Sequence, residues 1–168
     1  MANHKILAQF IRKWEGGFAN DPCDLGGATM AGITLATYRS VYGQSKTVED
    51  LKRMTDEEWM TIFKRYYWDK WHADDIKSQS VANILVDWVW ASGAYGIKIP
   101  QRVLGVAVDG IVGSKTLEAV NSRDSLALFN LIKKERKEFI DRICQTRSQN
   151  RKFKKGWLNR LNDIRYND

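Results

Sequence analysis

Three carboxylates and a hydroxyl crowd the first fifth of the 168-residue chain: Glu15, Asp21, Asp24 and Thr29. They share one stretch, Trp14-Glu15-Gly16-Gly17-Phe18 running through Asn20-Asp21-Pro22, Asp24, Gly26-Gly27 and Thr29 to Gly32-Ile33-Thr34. Residues of this type fit a two-carboxylate reaction such as glycosidic bond cleavage. One carboxyl keeps its proton and gives it to a leaving oxygen, while an ionised partner faces the developing positive charge or activates water. Environment divides such labour, because an acid packed among apolar side chains is desolvated and desolvation favours the protonated form. Glu15, following Trp14 and Phe10, has the setting of the acid; Asp21 and Asp24 lie six and nine residues on and are rival partners; Thr29 is suited to orient the same water. A plainer alternative is a helix end followed by an Asx-rich loop, or a calcium loop, although the spacing does not follow the EF-hand pattern.

These groups need elements to hold them. Ile6, Leu7, Phe10, Ile11 and Trp14 form one apolar stripe and predict a helix over about residues 3–14, with Gly16 and Gly17 as its stop. Thr34 is placed to N-cap a helix ending near Tyr42 and Gly43, and the capping box beginning at Thr55 opens another that carries Trp59, Ile62, Phe63 and Tyr66 on one side. The aromatic run 66–72 reads either as cleft-lining rings or, with more weight, as core. Residues 81–91 read as a buried central helix whose Asp87 is either a pKa-shifted catalytic group or a paired structural acid. Gly93, Gly96 and Pro100 punctuate a change of segment, followed by a short helix near 101–104 and an Asp109-Gly110 turn. Beyond it, Ser114 caps a helix to Val120, a long helix spans about 125–146, and a last one spans about 154–164 with Trp157, Leu158 and Leu161 buried. On the long helix Leu128, Leu131, Ile132, Phe139 and Ile143 are expected inward, and Lys133, Lys134, Arg136, Lys137 and Arg142 outward.

Composition excludes several classes. Hydrophobic residues make up 43% of the chain with only two prolines, which argues for a folded, mainly helical protein. Two histidines leave no room for a His-rich metal site, and two cysteines, Cys23 and Cys144, make neither a disulfide framework nor a zinc module. Cys23 reads as small-residue packing, with no histidine nearby in sequence to activate it. Charge is uneven: residues 1–90 carry eleven Lys and Arg against twelve Asp and Glu, and residues 91–168 carry sixteen against eight. The basic second half, including a basic connector at 147–155, attracts polyanions: nucleic acid, anionic lipid headgroups or an anionic wall. No secretory signal is apparent at the N-terminus, so synthesis in the cytoplasm is expected, with release to the wall or periplasm by a holin-like or other non-standard route.

The stretch from Glu15-Gly16-Gly17-Phe18 to Gly32-Ile33-Thr34 resembles the signature of glycoside hydrolase family 108, lysozyme-like muramidases that include phage endolysins and bacterial secretion-activator proteins. The likeness covers roughly residues 5–92. The segment Val108-Asp109-Gly110-Ile111-Val112-Gly113-Ser114-Lys115-Thr116 is similar to the predicted peptidoglycan-binding domain that commonly follows it. The resemblance implies a mainly α, lysozyme-like fold with a helical C-terminal lobe, divided as a hydrolase domain 1–92 and a peptidoglycan-binding domain 93–168. It implies cleavage of the β-1,4 bond between N-acetylmuramic acid and N-acetylglucosamine, with Glu15 as the catalytic glutamate and Asp24, at the spacing of phage-type lysozymes, ahead of Asp21. Thr29 falls one residue short of that pattern, where Met30 is in register. No cofactor and no metal are expected. Peptidoglycan glycan strands are the expected partner, with transient association with the cell envelope and no nucleic acid. A non-catalytic wall-binding or secretion-accessory module, a nucleic-acid binder and a lytic transglycosylase are the competing readings.

Overall fold

The computed structural model describes residues 1–22 and 26–168. Helices dominate them, with one small three-stranded sheet, in agreement with the expected mainly α, lysozyme-like class. The chain divides into two compact units, one of residues His4–Tyr66 and the other of Met1–Asn3 with Tyr67–Asp168.

The first unit begins with α1 (His4–Trp14), whose Leu7, Ala8 and Ile11 are buried. Ile6 belongs to the same sequence stripe yet is half exposed, so the buried face is narrower than the apolar pattern suggests. Three two-residue strands follow, β1 (Phe18–Ala19), β2 (Thr29–Met30) and β3 (Ile33–Thr34), in an antiparallel sheet of that order. The β2–β3 turn has positive φ at both central residues, Ala31 at 46° and Gly32 at 82°. Two such residues match the right-handed twist of a tight hairpin. Ala31 occupies a position that usually favours Asn or Gly, and its burial at 7% exposure gives the reason: a polar side chain there would be desolvated. Thr34 then caps α2 (Leu35–Tyr42) by accepting from Thr37 N, and Gly43 closes it at φ 111°. After α3 (Val48–Lys52), the capping box at Thr55 and Glu58 starts α4 (Asp56–Phe63), as the sequence predicts. Trp59, Ile62 and Phe63 are fully buried, and the Trp59 and Phe63 rings stack at 5.3 Å.

In the second unit the aromatic run resolves in favour of core. Trp68 and Trp71 are wholly buried, and each indole N–H is satisfied, by Asp74 Oδ1 at 2.8 Å and Gly96 O at 3.2 Å. The central helix is α5 (Gln79–Ser92), capped by Ser78, with nine residues buried including Asp87. It packs against α6 (Tyr95–Leu104) and against the long α8 (Ser125–Thr146), with α7 (Ser114–Asn121) between them in sequence. The helix α7 starts at Ser114 with Gly113 as its cap residue and no side-chain cap, one residue from the expected arrangement.

Two of the expected breaks are instead interior to α6. Pro100 lies inside that helix. It cannot donate to Gly96 O four residues back, and that carbonyl accepts Trp71 Nε1 instead. Gly96 is required by proximity: a Cβ there would lie 2.4 Å from Val89 N and 2.6 Å from Trp88 C, in the backbone of α5. Gly96→Ala is therefore expected to destabilise the protein by about 3 kcal/mol, although alanine is intrinsically the better helix former. Gly156→Ala is the control, since it lies in α9 (Lys154–Asp163) with open space around it; its thermal midpoint should hold or rise. Equal midpoints for wild type and Gly96→Ala would contradict the close approach.

The long helix is α8 (Ser125–Thr146), with the predicted bounds. Its faces differ from expectation in one important residue: Arg136 is buried, at 4% exposure. Asp87 draws it in, with Arg136 Nη2 at 2.8 Å from one carboxylate oxygen and Arg160 Nη2 of α9 at 2.7 Å from the other. This pairing gives Asp87 a structural role. Lys133 also departs from a fully solvated position, donating from Nζ to Ile164 O at 2.6 Å. Of the residues expected to be buried by α9, Leu161 is buried while Trp157 and Leu158 are half-buried.

Candidate active site

Glu15 continues the last turn of α1, its backbone N–H donating to Ile11 O at 2.9 Å. The side chain is half-buried, as are Phe10 and Trp14. The helix does not stop by a left-handed glycine: positive φ occurs at Gly27 and Gly32 in this region, and neither Gly16 nor Gly17 adopts it. Instead the chain leaves α1 by joining the sheet, where Gly17 O accepts Ala31 N at 3.2 Å and Phe18 pairs with Met30.

A closed circuit of contacts fixes that exit. Three residues before Glu15, Arg12 places its guanidinium 5.2 Å from the Trp59 ring centroid and pairs with Asp56 Oδ1 at 2.6 Å. Trp59 in turn donates from Nε1 to Ala31 O at 3.0 Å, and Ala31 N returns to Gly17 O. The path runs from the end of α1 through α4 and the hairpin back to the second residue after Glu15. The exposed Arg12–Asp56 pair contributes little energy by itself, on the order of 1 kcal/mol or less. Its effect is geometric, because Arg12 and Glu15 are one helical turn apart and share a side of α1. Sequence reasoning missed this bracing by Arg12 and Trp59, since the contacts join separate elements and no spacing within one of them signals it.

The sheet register sets Thr29. It lies on the central strand, opposite Ala19 on one side and Thr34 on the other, and is half-buried. Residues paired across an antiparallel sheet share a face, so Thr29 faces with Ala19 and Thr34, and Phe18 faces with Met30 and Ile33. On the Phe18 side Lys52 Nζ approaches that ring at 4.8 Å. Thr29 and the Glu15 helix end are thus joined through adjacent strands. Asp21 is exposed, two residues beyond β1. Asp24 and Cys23 lie outside the described residues.

A further carboxylate, Glu58, is committed to structure. Its Oε2 accepts Thr55 N at 2.9 Å and its Oε1 accepts the Tyr38 hydroxyl at 3.3 Å. Burial, and then the negative charge and hydrogen bond of Glu58, push the Tyr38 phenol up to about 12.

In the second unit the Asp109-Gly110 turn forms as expected, with Gly110 at φ 76° and Ile111 N donating to Asp109 Oδ1 at 2.9 Å. Those hydrogen bonds, from Ile111 N–H and then from Gln101, hold the Asp109 carboxyl below its ordinary range. Gln101, which the sequence reading passed over, organises the turn. Fully buried on α6, it donates from Nε2 to Asp109 Oδ1 and to Ile111 O, both at 2.9 Å, and accepts Gly110 N on Oε1 at 2.9 Å. A glutamine in a run of otherwise apolar buried positions is the signal that points to it.

Comparison with known proteins agrees with this layout. Residues 8–93 match the family model for glycosyl hydrolase 108, and residues 95–162 match that for a predicted peptidoglycan domain. No curated protein sequence matches the chain. Among solved structures the chain is similar to SagA of Brucella abortus, at 30% identity and a TM-score of 0.79, over 96% of this chain and 92% of that one. Glu15, the sheet and the capped helices of the first unit fall inside the first match, and the Gln101-braced turn falls inside the second: the chain belongs to glycosyl hydrolase family 108 and carries a predicted peptidoglycan domain, which makes peptidoglycan its partner.

Proposed function

We propose that this protein is an N-acetylmuramidase that hydrolyses the β-1,4 bond between N-acetylmuramic acid and N-acetylglucosamine, with Glu15 as general acid. The observation that carries the reading is the half-buried Glu15 at the end of α1, braced through Arg12, Trp59, Ala31 and Gly17 within the family-matched region. A proton donor must meet the leaving oxygen with little error in position, and such bracing supplies that. Glu15 gives its proton to the glycosidic oxygen as the bond to the muramic acid anomeric carbon breaks. Asp24, with Asp21 as its rival, stabilises the oxocarbenium-like centre or takes a proton from the attacking water, which Thr29 helps to orient. Catalysis is assigned to residues 1–92 and retention on the wall to 93–168.

Mass spectrometry of fragments released from purified peptidoglycan tests the reaction directly. Hydrolysis adds water and leaves a reducing N-acetylmuramic acid end. A 1,6-anhydro end would instead show a lytic transglycosylase, and binding without released sugar would show a wall-binding module; either result overturns the proposal.

A further inference from the structure

From Arg142 to Asn162 the chain carries seven cationic side chains and not one Asp or Glu. Two of the seven are paired with carboxylates: Lys154 with Asp141 at 2.9 Å, and Arg160 with Asp87. The other five, Arg142, Arg147, Arg151, Lys152 and Lys155, are exposed. They are not on a loose tail. The turn after α8 is fixed by Asn150 Nδ2 donating to Ile143 O at 3.3 Å and Arg151 Nε donating to Cys144 O at 3.3 Å, and it continues as a short 3-10 segment, Ser148–Phe153, into α9. Amid these cations Phe153 is 48% exposed. Its ring stacks on the half-buried Trp157 at 5.7 Å and 26°, with Lys152 Nζ 4.8 Å from its centroid.

We propose that the Arg142–Trp157 surface docks on anionic phospholipid headgroups of a bilayer. Clustered cations that outnumber the acids beside them, here Asp141 paired with Lys154, are drawn to a negatively charged leaflet, and an aromatic side chain among them sits at headgroup level. A nucleic acid fits less well, because sequence-tolerant strand binding stacks bases on open ring faces, whereas Phe153 already has Trp157 stacked on it and Lys152 over it. The association is peripheral: among the described residues no helix is long and apolar enough to cross a membrane. The proposal does not depend on which bond the Glu15 site cleaves.

Sedimentation of the full chain with vesicles tests it, using equal parts phosphatidylglycerol and phosphatidylcholine against phosphatidylcholine alone. Binding is expected only to the anionic vesicles and should weaken steeply with salt. The Arg147→Glu/Lys152→Glu/Lys155→Glu variant removes three cations at roughly fivefold each, so its partition should fall by about a hundredfold or more. Phe153→Ala should weaken it several-fold, and Lys70→Glu, an exposed reversal elsewhere, should not. Circular dichroism confirms that each variant is folded. Equal sedimentation with neutral vesicles, wild-type binding by the triple variant, or tighter binding to duplex DNA than to the anionic vesicles would overturn the proposal. So would a parallel loss of binding to insoluble, lipid-free peptidoglycan, since the patch would then be a wall contact.

Discussion

Glu15→Gln is expected to lower the rate of peptidoglycan hydrolysis by roughly 10²–10⁴-fold, with little change in stability or in binding to insoluble peptidoglycan. Glutamine has nearly the shape of glutamic acid, and the backbone bond from residue 15 to Ile11 O is indifferent to the side chain. What the amide lacks is a proton it can give to a leaving oxygen. Clearing of a peptidoglycan suspension and release of reducing ends measure the loss. Equal activity in the two proteins would remove Glu15 from the mechanism. Asp24→Asn and Asp21→Asn measured beside it identify the partner, and the spacing shared with phage-type lysozymes ranks Asp24 as the more damaging change. Binding measured in parallel separates the chemical step from retention, because the predicted peptidoglycan domain at residues 95–162 does not contain Glu15.

The readable parts of the fold were those written in local chemistry. Thr34 with Gly43, and Thr55 with Glu58, set helix ends through hydrogen bonds within a few residues, so spacing alone locates them. The bounds of α8 were legible for the same reason, with Asp124 accepting Ala127 N at its start and a long apolar period behind it. Gly96 and Pro100 misled because each answers to a distant neighbour: the backbone of α5 beside Gly96, and the Trp71 indole that takes the carbonyl Pro100 leaves free. The sheet was invisible because strands of two residues are too short to show alternation. At the candidate site, the placement of Glu15 at a helix end was legible. Its bracing by Arg12 and Trp59 was not, since a cation over a ring depends on how α1 and α4 meet and not on any spacing within either.

Arg136 is the residue for which sequence gave the wrong side of a helix, and the largest stability effect is expected at its partner. Asp87→Ala should destabilise the protein by about 3–5 kcal/mol, lowering the midpoint of thermal unfolding by on the order of 10 °C for a chain of this size. Asp87 is fully buried and joins α5 to α8 and α9 through its two arginine contacts. Burial already pushes the Arg136 guanidinium below its usual range, opposed by the Asp87 charge and hydrogen bond and added to by Arg160. Removing the carboxylate leaves two positive groups close together, Arg136 buried and Arg160 half-buried, so the loss reflects an uncompensated charge more than the value of the pair. That distinction can be measured. Replacing all three, as Asp87→Leu/Arg136→Met/Arg160→Met, should recover much of the lost stability, because the original triad is imperfect: Arg136 Nη1 is buried with no hydrogen-bond partner among the described residues. Calorimetry on the single and triple variants decides it. If the triple variant is as unstable as Asp87→Ala, the triad itself holds α5, α8 and α9 together; if Asp87→Ala melts with the wild type, the carboxylate has no such role.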